Sequence, residues 1–169
     1  AFADTCIPLP GGQSMLTPKL EGRLLQALSP AASERMLEVG TGSGVMTACL
    51  AALGGRVTSL EILPELADTA RTKLAAYRGA EVQTMDVFGF APAERFDVIA
   101  LTGSLPIYDR RFEDWLAVGG RLFVVSGNAP RMEARLVRRL AETEWATEIL
   151  LETVVPPLMN APGHQAFIF

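Results

Sequence analysis

Met36 to Gly44 reads M-L-E-V-G-T-G-S-G, and the apolar run Val45 to Leu53 follows it without a break. An apolar segment that ends in an acid and then opens into three alternating glycines predicts strand, tight turn and helix, the first unit of a nucleotide-type α/β fold. Glycine serves such a turn in two ways. It reaches positive φ without steric cost, and its missing Cβ lets a ligand lie against the backbone.

The spacing narrows the ligand. The dinucleotide fingerprint G-x-G-x-x-G/A would put its third small residue at position 45, which is Val45; here the third glycine is Gly44, one place early. Glu38 stands two residues before Gly40. A carboxylate beside the loop repels a pyrophosphate and suits a ligand with cationic groups and no phosphate. S-adenosylmethionine, with its sulfonium and ammonium, is such a ligand. The next apolar run, V-T-S-L-E-I, ends in Glu61, 17 residues past Gly44. That is close to the usual spacing of roughly 20 for an acid that accepts hydrogen bonds from both ribose hydroxyls.

Working outward, Pro8, Pro10, Gly11 and Gly12 predict an extended N-terminal loop without regular structure. Thr17-Pro18 opens a helix, threonine as N-cap and proline at the first helical position, and Leu20, Leu24, Leu25 and Leu28 recur along it until Ser29-Pro30. Strands are predicted over Arg56 to Glu61, Val82 to Met85, Phe96 to Leu101 and Arg121 to Ser126. Helices are predicted from Pro64 to about Tyr77 and over Tyr108 to Leu116. Strands alternating with helices at this spacing imply a mostly parallel sheet with helices on both faces. Further on, Arg131 to Ala141 reads as a helix with Arg131, Arg135, Arg138 and Arg139 on a solvated side. Trp145 to Val155 and Gln165 to Phe169 read as strands that form an antiparallel edge. The expected organisation is one domain over 1–169: N-terminal loop and helix (1–30), cofactor-binding core (31–128), C-terminal helix and edge strands (129–169).

Composition excludes several classes. A chain of 169 residues, 49% hydrophobic and 20% charged, can bury a full core. Its net charge of −4 and the absence of a Lys/Arg block count against a nucleic-acid partner. No stretch approaches the ~20 apolar residues of a membrane span, and A-F-A-D-T-C-I-P has no basic n-region, so neither a membrane partner nor a secretory leader is expected. Cys6 and Cys49 form no C-x-x-C pair, which fits a reducing, cytoplasmic setting. No His/Asp/Glu cluster has metal-ligand spacing, and the single histidine, His164, lies in a P-G-H turn.

Taken together, E-V-G-T-G-S-G, S-L-E-I-L-P-E-L-A, R-F-D-V-I-A-L-T-G-S-L-P and V-G-G-R-L-F-V-V resemble the protein-L-isoaspartate O-methyltransferase family over about Pro8 to Pro157. The resemblance implies a Rossmann-like class I methyltransferase fold, a seven-stranded sheet with an antiparallel last strand. It also implies S-adenosylmethionine as cofactor, S-adenosylhomocysteine as product, and methyl transfer to a carboxylate of an isoaspartyl-containing protein or peptide in protein repair. Carried onto these residues, Glu38 and the loop Gly40, Thr41, Gly42, Ser43 and Gly44 would hold the amino-acid part and ribose, and Glu61 the ribose diol. Ile62 would pack on the adenine, Asp86 and Val87 would meet its polar edge, and Thr102 and Gly103 would face the methyl donor and the acceptor.

The chain departs from the family at one place. The family's loop resembles Q-T-I-S-x-P, whose serine touches the substrate carboxylate; Gln13 to Pro18 reads Q-S-M-L-T-P, so Leu16 stands at that position, flanked by the hydroxyls of Ser14 and Thr17. Ser14, Thr17 and Thr102 are thus the candidate catalytic hydroxyls. A leucine there also leaves open a small-molecule acceptor, or a cofactor-binding protein without isoaspartyl activity.

Overall fold

The structure, a computed structural model, describes residues 3–163. The decisive stretch folds as its sequence predicts. β1 (Arg35–Val39) runs into the glycine turn and then α2 (Val45–Ala52); β2 (Arg56–Glu61), α3 (Pro64–Leu74) and β3 (Ala80–Thr84) follow. α1 (Pro18–Leu28) precedes them, with the Thr17 hydroxyl accepting from the Leu20 N–H at 3.4 Å and Pro18 in the first turn. After β3 come β4 (Phe96–Leu105), the one-turn α4 (Arg111–Asp114), β5 (Leu116–Asn128), β6 (Arg131–Ala141) and β7 (Glu144–Glu152). They form a seven-stranded sheet in the order β3-β2-β1-β4-β5-β6-β7. The first five strands pair in parallel, and the β5–β6 and β6–β7 pairings are antiparallel.

Both faces carry helical elements, but unequally. On one face α1 (Leu20, Leu24, Leu28) and α2 (Met46, Leu50) cover Met36, Val57, Val98, Ala100, Phe123 and Val125. α3 lies beside α2, setting Ala67, Ala70 and Leu74 on Val82. The other face has no long helix among the described residues. Phe112 of α4, Val87 of a 3-10 turn, and Phe88, Phe90 and Trp115 seal Leu37, Ile99, Leu101, Leu122 and Val124 instead. Each fully buried Leu or Phe stabilises the fold by roughly 1.5–3 kcal/mol, so these aromatic loops replace a helix layer.

Several expectations are corrected. Arg131 to Ala141 is not a helix but β6, pairing residue for residue with β5 from Asn128↔Arg131 to Arg121↔Arg138. Met132, Ala134 and Leu136 face one side and Val137 the other, so the apolar positions fit period 2 once neighbours on both sides supply the backbone partners. The arginine side is not wholly solvated either, since Arg139 is only 3% exposed. The helix expected over Tyr108 to Leu116 shrinks to α4, because β5 begins already at Leu116. The N-terminal loop is not simply extended. It doubles back through a 3-10 turn at Pro10–Gly12, with Leu9 N–H to Gln13 O at 2.8 Å and Met15 N–H to Ile7 O at 2.8 Å. The strand expected over Gln165 to Phe169, and His164, lie outside the described residues.

Candidate active site

At the C-terminal ends of β1, β2 and β4, where the sheet order changes direction, a cleft encloses about 820 Å³, part of it open to solvent. This is the switch point at which open α/β sheets bind ligands. Its floor is the glycine turn, with φ of +95° at Gly40, +53° at Gly42 and +85° at Gly44, a region costly for any other residue. The three glycines do different things. A Cβ on Gly40 would run into the Thr102 hydroxyl, and one on Gly42 would stand 3.0 Å from Leu9. Gly44 caps α2 and does not line the cleft; a Cβ there would stand 3.3 Å from Leu74 of α3, so its role is helix packing.

The turn is held from β2. Gly40 N–H donates to Leu60 O at 2.9 Å. Glu61, 5% exposed, accepts from Gly42 N–H on Oε2 (2.8 Å) and from Leu63 N–H on Oε1 (3.0 Å). Each carboxylate oxygen retains a second acceptor site, so one side chain can fix the loop and still receive two hydroxyls. Thr41 and Ser43 line the cleft, the Thr41 hydroxyl lying 2.6 Å from that of Ser59. Thr102 lines it too, but its hydroxyl is turned to the loop, 2.9 Å from Val39 O and 2.6 Å from Gly40 O; it pins β4 to the turn.

Glu38 is fully buried. Its Oε2 accepts from the Ser59 hydroxyl at 2.7 Å and from the Thr47 hydroxyl, while Oε1 has no partner among the described residues. Burial pushes this carboxyl up to about 7, and the nearby Glu61 and Glu21 carboxyls push the same way against the two hydroxyls. An orphaned, buried carboxyl oxygen beside a glycine cradle fits a cationic ligand group, which would favour its ionised form.

Ile62, Asp86 and Val87 form the β2–β3 wall. Asp86 caps the 3-10 turn, accepting from Phe88 N–H, and also accepts from Asn160 Nδ2, both at 2.9 Å. Ser14 lines the cleft; Thr17 does not, since its hydroxyl caps α1. Leu16 lines it as well, packed in the α1 core at 7% exposure. Sequence reasoning missed Gln13, Glu21, Leu158 and Met159. Leu158 crosses Gly103, where a Cβ would stand 2.6 Å from Leu158 Cδ2, and Gln13 Nε2 donates to Pro157 O at 3.0 Å. No local signal marks these contacts, since they arise from loops meeting across 144 residues of chain. Gly103 beside Thr102 was the one visible hint. Every charged residue lining the cleft is acidic: Glu21, Glu38, Glu61 and Asp86.

A family model described as protein-L-isoaspartate(D-aspartate) O-methyltransferase matches residues 1–161. The chain belongs to the protein-L-isoaspartate O-methyltransferase family. Curated family members are similar over most of their length. One from Pelobacter propionicus is 34% identical over 96% of this chain and 74% of its own, and one from Anaeromyxobacter dehalogenans is 36% identical over 96% and 80%. A solved Plasmodium falciparum structure, assigned to the same enzyme and in complex with S-adenosyl-L-homocysteine, superposes with a TM-score of 0.80 at 17% identity, covering 92% of this chain and 80% of that one. A second solved protein-L-isoaspartate O-methyltransferase gives 0.82 at 19% identity, covering 95% of this chain and 54% of that one. These two show the shared Rossmann-like class I methyltransferase fold.

Proposed function

We propose that the chain methylates the carboxylate of isoaspartyl residues in proteins or peptides, using S-adenosylmethionine, as a protein-repair enzyme. The observation that carries this reading is the glycine-floored cleft whose charged lining is entirely acidic, in a chain of this family. Glu61 is placed to hold the ribose diol, with Ile62 and Val87 against the base and Asp86 at its polar edge. Glu38 and the Gly40–Gly42 backbone are placed for the amino-acid part. When bound, the cofactor supplies an electrophilic methyl on a sulfonium.

The acceptor needs little chemical help. A carboxylate with a pKa near 4 is ionised at pH 7 and requires no general base. The chain's task is then to align the reactants and exclude water. Leu16, Leu158 and Met159 supply apolar walls for that, and opposite charges that neutralise on reaction are favoured in a partly dry site. Of the three candidate hydroxyls, Ser14 is the one free to donate to the acceptor carboxylate, since Thr17 is occupied and Thr102 faces the loop. A cytoplasmic setting belongs to the same reading, in keeping with the free thiols of Cys6 and Cys49.

Methyl transfer to an isoaspartyl peptide and to its normal aspartyl isomer tests this. Base-labile methyl ester should form on the isoaspartyl peptide alone, and Ser14→Ala should lower that turnover about tenfold, the loss of a hydrogen bond to a charged group. Leu16→Ser, which restores a second donor, should raise it. Retained cofactor binding with no ester on either peptide would overturn the acceptor and leave a small-molecule substrate or a cofactor-binding protein without isoaspartyl activity.

A further inference from the structure

The acid of α1 that lines the cleft, Glu21, has no part in the assignments above. It is half-buried, and none of the hydrogen bonds among the described residues uses its carboxyl. An acid in the first turn of a helix gains from the helix dipole, but that alone does not place it in a cleft wall. Its position relative to Glu38 is informative. The thiol of Cys49, on α2, is pushed up by burial first and then by Glu21 and Glu38 together, and Glu38 in turn feels Glu21. Both carboxyls line the same cleft, Glu21 from α1 and Glu38 from β1, whereas Asp86 lies beyond the end of β3.

Two acids, one half-buried and one fully buried with an orphaned oxygen, share that cleft, and no basic side chain among the described residues lines it. Like charges in a desolvated site destabilise the protein unless a cation joins them. A primary ammonium, with three N–H donors, satisfies both: one for Glu38 Oε1 and another for Glu21. We infer that Glu21 and Glu38 both hold the ammonium of the cofactor's amino-acid part, making Glu21 a specificity residue for ligands that carry that charge. This rests on the proposed cofactor. It also divides the cleft in two, a charge-reading end at Glu21 and Glu38 and a nucleoside-reading end at Glu61.

Calorimetry on the full chain can separate these ends with two ligands, S-adenosylhomocysteine and adenosine, which keeps the nucleoside and lacks the ammonium. Glu21→Gln should weaken S-adenosylhomocysteine about fivefold to tenfold, the scale of one charge-assisted hydrogen bond in a half-exposed site, while adenosine affinity stays at the native value and certifies the fold. Glu21→Asp should fall between. Equal S-adenosylhomocysteine affinity in native and Glu21→Gln, with native binding intact, would overturn the inference and leave the cofactor reading standing. Failure of the native chain to bind either ligand would overturn both.

Discussion

Two buried charged side chains, Glu38 on β1 inside the parallel part of the sheet and Arg139 on β6 in its antiparallel part, are treated differently. Arg139, on β6, donates to Leu116 O (2.7 Å), Ala141 O (3.3 Å), Glu142 O (2.6 Å) and Glu142 Oε2 (2.9 Å), and its guanidinium lies 5.2 Å from the Trp145 ring. Glu38, on β1, has two hydroxyl donors on one oxygen and nothing on the other. Arginine at the hairpin donates from all three of its nitrogens to the chain itself and closes the fold. Glutamate at the cleft is left short, at a cost in stability that a cationic ligand can return. A buried charge with all its partners is architecture, whereas one with a vacancy marks where binding happens.

The largest way to break this contrast is at Arg139. Arg139→Leu should cost about 3 kcal/mol of stability in chemical denaturation, because it strands buried carbonyls, while S-adenosylhomocysteine affinity in the surviving folded protein stays native. A cofactor defect there would mean the two regions are not separate.

Glu38 should behave in the opposite sense. Its folded pKa, about 7, lies above the usual 4.5, so between those values the folded state holds a proton that the unfolded chain has released. Stability therefore falls as pH rises through that window, and the cost is fully present above 7. Glu38→Gln should be more stable than the native chain by about 3 kcal/mol at pH 8, and little more stable at pH 4.5. Burial sets this first; the Thr47 and Ser59 hydroxyls oppose it, and Glu61 from β2 and Glu21 from α1 add to it. Equal denaturation midpoints at pH 8 would show that Glu38 is relieved in some other way.

At Glu61 the effect is on affinity. It loses two loop tethers and the diol acceptor together, so Glu61→Ala should weaken both S-adenosylhomocysteine and adenosine by tenfold or more, at about 1.5–3 kcal/mol per charged hydrogen bond. Unchanged titrations would reduce it to a loop tether.

The two regions also differ in how far the sequence could be read. From Met36 to Glu61 the decisive interactions are local: positive φ at alternate residues, an apolar run, an acid at a strand end. There β2 matches its expected bounds and α2 ends one residue early. At β6 the residues Glu133, Ala134, Arg135 and Leu136 are good helix formers, and Met132, Leu136 and Leu140 fit a helical stripe. What makes them a strand is β5 on one side and β7 on the other, contacts that no short window contains. Only the S-G-N-A-P turn before Arg131, with Gly127 at a φ of +116°, signalled a hairpin. The cleft divides in the same way. Its β-strand ends were legible, whereas Glu21, Leu158 and Met159 reach it only through packing, and Thr17 kept its capping role.

The claim that Glu38 is held short for a cationic partner is tested most directly by counting protons. Calorimetric titration of S-adenosylhomocysteine at pH 7, repeated in buffers of different ionisation enthalpy, gives the protons exchanged on binding. With a free pKa of about 7 and an ionised carboxylate beside the ammonium, about half a proton should be released per ligand, and the release should vanish in Glu38→Gln. Binding of native protein with no proton exchange would contradict the account.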